Sequence, residues 1–366
     1  MLSISKEDQI QNQDSPRSGS RNLIIVKTKT RLEKLTESFN TVGQAMFNIK
    51  QQRANFFGSA KNMKFKKAKE RTKGMLGAGD VEDYKKEDRQ YKASLDDIQK
   101  RLSRLVKVKV IDRSFLPSFL FTPDDIVVVI GQDGLVANTA KYVTDIPIIG
   151  VNPEPERFDG VLLPFNVDNY EHAVEQVLLG NYRSLQVTMA EASTNDGQRL
   201  LAFNDLFIGP SSHSSAKYQI THNGYTENHS SSGLIVSTGA GSTGWLSSLF
   251  NMAHGINSLN QLPSFDDVSA YAEAVEENVA NSPTFTLPWD TNQLIFVVRE
   301  PFLSRTSQIS LSAGYVSSGN ELVLESLMSE NGVVFSDGIQ HDFLHFNSGT
   351  ILTVGIAKER AELVVR

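Results

Sequence analysis

The stretch Asp125-Ile126-Val127-Val128-Val129-Ile130-Gly131-Gln132-Asp133-Gly134 governs the reading of the whole chain. Asp125 to Ile130 is a run of strand length, apolar throughout after its opening Asp125, of the kind found in strands buried on both faces of a helix-covered parallel sheet. The last four residues of the stretch place an acid between glycines. In open parallel sheets, ligands bind beyond the carboxyl ends of the strands. Glycines there let the backbone approach a phosphate, and successive N–H groups form an anion-binding concavity. A carboxylate in such a turn repels phosphate, so Asp133 suits different chemistry. It can accept a hydroxyl, or stand on the magnesium side of a phosphate. The alternative is an ordinary strand-to-helix turn with Asp133 as N-cap, and four residues do not separate the two.

Working outward, Asn22 to Lys27 is an Ile/Val run and Val106 to Ile111 alternates. Ala137 to Val143 suits a helix, and Ile146 to Val151 a second buried strand. Strand, helix, strand in this order means parallel pairing through a helical crossover. Residues 22–180 are therefore expected to form an α/β nucleotide-binding domain with a doubly wound parallel sheet. It carries a long polar helical segment, 30–105, broken near Gly74 to Gly79. The second half of that segment sets Tyr84, Asp88, Tyr91, Leu95, Ile98, Leu102 and Leu105 on one stripe. Tyr170-Glu171-His172 opens a short helix to Leu179. From Arg183 the texture changes to short β-rich runs between Gly, Ser and Asn turns, among them Asp205 to Ile208, Gly233 to Ser237, Gln293 to Val298, Ile309 to Leu311, Thr350 to Val354 and Ala361 to Val365. Residues 181–366 are expected to form a β-rich domain, interrupted by a helix near Phe265 to Ala280; the last residues are expected to return to the first domain.

Composition narrows the function. The net charge of −6 argues against a dedicated nucleic-acid binder. There is no cysteine, which excludes disulfides, thiolate nucleophiles and Cys-ligated zinc. No apolar run approaches the roughly 20 residues of a membrane helix, so no membrane partner is expected. Residues 1–21 read as a disordered polar tail, and Glu7, Asp8 and Asp14 are out of place in a transit peptide. The expectation is a cytoplasmic protein. Residues 50–73 hold nine Lys/Arg and one acid, and read as a solvated helix before a polyanion arm. His341 and His345 have helical metal-ligand spacing in a region that reads as strand, so no metal site is assigned.

A second chemical feature runs from Ser231 to Trp245, where a strand leads into a Gly/Ser/Thr loop that opens a helix. Small residues with hydroxyls and N–H groups at a helix N-terminus suit phosphate or ribose recognition. A flexible loop with an N-cap is the alternative.

Taken together these segments resemble the NAD kinase family. Its Gly-Gly-Asp-Gly turn is matched by Gly131 to Gly134, its Gly-Val-Asn element by Gly150-Val151-Asn152, and its Asn-Glu pair by Asn204-Asp205. Its Gly-Ser-Thr loop is matched by Thr238 to Trp245, and its late Asp-Gly by Asp337-Gly338. Asn152 to Arg157, Ala202 to Gly209 and Val298 to Pro301 look closest to the mitochondrial-type branch. The resemblance implies ATP-dependent phosphorylation of NAD on the adenosine ribose 2′-hydroxyl, with ATP, NAD and Mg2+ as cofactors and a homodimer or homotetramer as the assembly. By the same resemblance Asp133 is the catalytic acceptor. Gly131, Gly134, Asn152, Asn204, Asp205, Thr238, Gly241, Ser242 and Thr243 meet the nucleotides. Two positions depart from the pattern: Gln132 replaces a glycine and Leu135 a threonine. A turn built for glycine either takes Gln132 at negative φ or carries strain and a blocked phosphate path. The first outcome leaves a kinase. The second leaves a weakly catalytic or non-catalytic nucleotide-binding regulatory relative.

Overall fold

A computed structural model describes residues 21–48, 51, 81–258 and 285–366. The loop at Gly74 to Gly79, most of the basic segment 50–73 and the helix expected at Phe265 to Ala280 lie outside the described residues. The chain divides into two compact units.

The first unit comprises described residues up to Thr139, Ile146–Arg183 and Val364–Arg366. Its strands β1 (Asn22–Lys27), β2 (Lys107–Asp112), β3 (Asp125–Ile130), β4 (Pro147–Asn152) and β5 (Phe165–Asn166) lie in the order β2-β1-β3-β4-β5, and every pair is parallel. All six residues of β3 are buried, as the unbroken apolar run requires of a central strand. Helix α1 (Arg31–Phe39) starts from a capping box, with Thr30 Oγ1 accepting from Glu33 N–H and the Glu33 carboxylate accepting from Thr30 N–H. Helix α2 (Val81–Leu102) puts Tyr91, Ile98 and Leu102 into the core. The expected stripe is present, but the helix stops before Leu105, which is exposed. Helix α3 (Asp133–Ala140) opens on Asp133 itself, four residues earlier than the apolar pattern indicates. Helix α4 (Tyr170–Leu179) ends at Gly180, whose φ of 72° lets its N–H return to the last carbonyls.

The second unit, Ala140–Asp145 with Ser184–Leu363, is a two-layer β structure. One layer is built from β6 (Arg183–Thr194), β7 (Arg199–Ala202), β9 (Ala216–His222), β10 (Tyr225–Ser231), β14 (Leu322–Ser326) and β17 (Ile351–Val365). Its order is β10-β9-β14-β17, with β6 beside β17 and β7 beside β6. The other is built from β8 (Asp205–Pro210), β11 (Leu234–Ser237), β12 (Gln293–Val298), β13 (Ala313–Ser317), β15 (Gly332–Ser336) and β16 (Ile339–His345), in the order β13-β12-β11-β8-β15-β16. Ile220, Leu322 and Leu352 of the first layer share a core with Leu206, Val236, Phe296 and Val334 of the second. Helix α5 (Trp245–Asn257) follows β11.

Three sequence expectations change here. Ile309 to Leu311 is not a strand; the chain turns there and pairing starts at Ala313. Thr350 to Val354 and Ala361 to Val365 are parts of one 15-residue strand. The strand Tyr225–Ser231 is too polar to announce itself, because it lies at a sheet edge and pairs only with β9. Among the described residues no helix is long and apolar enough to cross a membrane.

Candidate functional site

In the first unit the strand order reverses between β1 and β3, with β2 on one side and β4 on the other. The carboxyl end of such a switch point is where doubly wound sheets take ligands. Tyr91 pins it: its hydroxyl donates to Ile130 O (2.9 Å) at the end of β3 and accepts from Thr28 N–H (3.1 Å) after β1. Burial pushes that hydroxyl up to about 12, so it stays a donor. The sequence marks Tyr91 only as a core residue of the helix stripe. Its partners are distant in the chain, and no local pattern betrays them.

The turn itself is unstrained. Gln132 is not among the non-glycine residues with positive φ, and its side chain is exposed. The turn thus accommodates Gln132 by the first of the two routes open from the sequence. Space at Gly131 is tight: a Cβ there would come within 3.0 Å of Leu135 Cδ2. Leu135, buried, lies over that glycine. Gly134 is different, since a Cβ there would meet nothing within 4 Å. Packing does not explain its lack of a side chain.

Asp133 is half-buried, and both its oxygens are engaged. Oδ1 accepts from Leu162 N–H (2.9 Å) and Oδ2 from Val161 N–H (3.2 Å). A carboxylate offers about four lone-pair directions, so acceptor capacity remains for a hydroxyl. Asn152 is more fully committed. Its amide donates to Phe158 O (2.8 Å) and its oxygen accepts from Glu154 N–H (2.9 Å), which folds the Pro153–Phe158 loop. Arg157, in that loop, shares the Glu87 carboxylate with the sequence-distant Arg31, at 3.2 Å from Arg157 and 2.6 Å from Arg31 Nε. Each of these side chains is about one-third exposed, 33% for Arg31 and 35% for Arg157. Burial, and then Glu87, raise the Glu154 carboxyl above its ordinary value.

In the second unit, three segments far apart in sequence converge. The Asp337 carboxylate accepts from Phe203 N–H (3.0 Å), Asn204 N–H (2.6 Å) and Asp205 N–H (3.2 Å), while Asp337 N–H donates to Asp205 O (3.0 Å). Asp337 at φ 52° and Gly338 at φ 68° form the turn that makes this possible. Thr238 Oγ1 donates to Phe203 O (2.6 Å) and accepts from Gly241 N–H (3.1 Å). Ser242 Oγ donates to Gly239 O (2.7 Å) and accepts from Leu287 N–H (3.2 Å). A Cβ on Gly241 would lie 2.1 Å from Asn204 O, so this approach requires glycine. The hydroxyls of Thr238 and Ser242 are turned inward and spent on the loop. Thr243 is exposed. Trp245 stacks on Phe207, with ring centroids 5.8 Å apart and Arg299 over its ring.

The side chains of Asn204 and Asp205 make no hydrogen bond among the described residues, although their backbone is clasped on every side. Burial first, and the neighbouring Asp337 second, push the Asp205 carboxyl up to about 7. Burial also raises Asp337, against which Lys141 and the three amides work.

These arrangements define a class: a parallel α/β unit with an acid-bearing glycine turn at its switch point, and a two-layer β unit with a clasped Asn-Asp turn. No family model matches the chain. It is 25% identical over 292 residues to "NAD kinase 2, mitochondrial" of Homo sapiens, covering 64% of this chain and 63% of that one. It is 25% identical over 247 residues to a probable NADH kinase of Oryza sativa subsp. japonica, covering 60% and 66%. The chain thus matches less than two thirds of the length of either relative. The crystal structure of yeast NADH kinase complexed with NADH aligns with a TM-score of 0.49 at 15% identity, covering 76% of this chain and 80% of that one. The relatives the sequence is similar to are thus named as kinases of NAD or of NADH.

Proposed function

We propose that this protein transfers the γ-phosphoryl group of ATP to the 2′-hydroxyl of the adenosine ribose of NAD, giving NADP and ADP. The observation that carries the reading is Asp133: an acid opening a helix at the switch point, fixed by two backbone amides, with acceptor sites left over. In the transfer, the ribose oxygen bonds to the γ-phosphorus as the bond to the bridging oxygen breaks. The hydroxyl proton passes to the Asp133 carboxylate. A carboxylate is a weak base for an alcohol, so fixed orientation supplies most of its effect, in keeping with loose phosphoryl-transfer transition states. Arg31 and Arg157, at the carboxyl ends of β1 and β4, are cations available to donor phosphates in the same unit. Asn204 and Asp205 take the hydroxyls of NAD with side chains that have no other partner among the described residues. Exposed Thr243 is the hydroxyl of its loop left for a nucleotide. Among the described residues no group of three acids or histidines is gathered for a metal. Mg2+, if it enters with ATP, would supply neutralisation of the phosphate charge.

The test is purified protein with Mg-ATP and NAD, followed for NADP. Binding of NAD without NADP formation would replace the kinase with a regulatory nucleotide binder. The same reading carries a homo-oligomer and a cytoplasmic location, to be checked by light scattering and cell fractionation.

A further inference from the structure

The β2–β3 crossover shows solvent an apolar surface that nothing in the proposed reaction uses. It reads Arg113-Ser114-Phe115-Leu116-Pro117-Ser118-Phe119-Leu120-Phe121-Thr122-Pro123-Asp124. A parallel crossover is usually a helix packed on the sheet. Pro117 and Pro123 work against one here, and only a 3-10 turn forms, over Arg113–Ser118. Leu116 anchors it, 1% exposed. Its neighbours turn outward: Leu120 is 89% exposed and Phe115 60%. Phe119 and Phe121, half-buried, meet edge to face with ring centroids 4.7 Å apart.

This tip has few polar groups to lose on leaving water. Pro117 has no N–H, Phe119 N–H donates to Leu116 O (3.4 Å), and Ser118 Oγ donates to Phe115 O (3.2 Å). Where backbone groups are satisfied internally, an apolar segment enters a lipid interface without the penalty of orphaned donors and acceptors.

A basic row stands beside the tip. Strand β2 is the edge of its sheet, and by alternation Lys107 and Lys109 share one face while Val108 and Val110 pack on the core from the other. Lys109 Nζ stands over the Phe119 ring, 4.4 Å from its centroid, which sets the row on the crossover's side. Both lysines are exposed, and neither pairs with a carboxylate among the described residues. Arg104, just before β2, is exposed as well. Of the flanking acids, Asp112 is engaged by Ser114 and Lys27, which leaves exposed Asp124.

We propose that the crossover is a membrane-docking site: Phe115 and Leu120 enter the interface of an anionic bilayer while Lys107 and Lys109 face its phosphate headgroups. A second copy of the chain fits this surface less well. A stable dimer needs about 20–30 residues a side, more than the crossover offers. Edge-to-edge pairing of β2 would also set lysine rows against each other. Docking of this kind needs no spanning segment, so the lack of a long apolar run does not oppose it. The chain as a whole carries a net charge of −6, so attraction to an anionic surface is a property of the local patch.

The experiment is flotation of the full chain with vesicles of phosphatidylcholine alone, or of phosphatidylcholine with phosphatidylserine. Binding should be at least about ten-fold stronger to the anionic vesicles. Leu120→Glu should weaken it about ten-fold or more, since it replaces an inserted apolar group by a charge of the wrong sign. Lys107→Ala and Lys109→Ala should each weaken it about five-fold. Phe302→Glu, at an exposed phenylalanine of the second unit, should bind as the wild type does. Thermal melting checks that each variant is folded, and Phe115→Ser takes the place of Leu120→Glu if that chain does not fold. Absence of binding, equal binding to both vesicles, or equal losses in Leu120→Glu and Phe302→Glu each overturn the proposal. So does light scattering that shows a wild-type oligomer falling to monomer in Leu120→Glu, because a second copy then covers the patch.

Discussion

At the Gly131–Gly134 turn the candidate acid does the holding: Asp133 spends two of its acceptor sites on the amides of Val161 and Leu162. At the Asn204–Asp205 turn a second acid holds instead, since Asp337 takes the backbone amides and leaves the side chains of Asn204 and Asp205 without partners among the described residues. One turn merges structural and chemical duty in a single carboxylate; the other separates them between two. Substitutions should therefore mix effects at the first turn and sort them cleanly at the second.

The largest effect tests the merged turn. Asp133→Asn should lower kcat for NADP formation by about 10²–10⁴-fold, the usual worth of a positioned proton acceptor, with NAD affinity within a few-fold. Because the same side chain ties residues 161–162, hydrogen exchange at those amides should quicken. A normal kcat with fast exchange would leave Asp133 purely structural. Next comes the separated turn: Asp337→Ala leaves three amides without their acceptor and should cost about 2–4 kcal/mol of stability, read from denaturant midpoints.

Asp205 gives a smaller, pH-dependent effect. Its carboxyl keeps its proton up to about 7 in the folded protein and releases it near the ordinary carboxylate value when unfolded. Between those values the native state binds more protons, so its contribution to stability declines as pH rises from about 4 to 7. Asp205→Asn should remove that decline, stabilising the protein by about 1–3 kcal/mol at pH 8 and by almost nothing at pH 4. Equal effects at both pH values would mean the carboxyl is not titrating there. Gln132→Gly should do least. With Gln132 already at negative φ, kcat and ATP affinity should change by less than about two-fold, since the strain that glycine would relieve is not there. A large gain in ATP affinity would show that the exposed Gln132 side chain obstructs the phosphate path.

The parts of this architecture that are legible in the sequence are those written locally. The run 125–130 announces a central parallel strand, because burial on both faces removes nearly every polar residue from it. The stripe of α2 is legible because one face of the helix is buried and repeats at helical spacing. Asp133 stands out through residue type in a turn, whereas the Asn204–Asp205 pair is marked only by its likeness to the Asn-Glu pair of the family the sequence resembles. What stays hidden is non-local. Nothing near Tyr91 in sequence names Ile130 or Thr28. The inward aim of Thr238 and Ser242 is equally invisible. A Gly/Ser/Thr loop reads the same whether its hydroxyls face a ligand or its own backbone, and only the close approach of Gly241 to Asn204 O distinguishes the two. Edge strand Tyr225–Ser231 escapes the sequence reading because an edge relaxes the demand for apolar alternation.

The strand Ile351–Val365 has a bearing on how the protein is made. Its last residues count with the first unit, and Val364 sits in that unit's core beside Ile149 and Val151 of β4. During synthesis, residues up to Arg183 leave the ribosome with that part of their core still open, and the whole β-rich unit is translated before the missing piece arrives. The first unit is the earlier one made and the later one finished. Ribosome-bound chains ending before residue 364 should hold it in an incomplete, chaperone-accessible state until residues 364–366 are added.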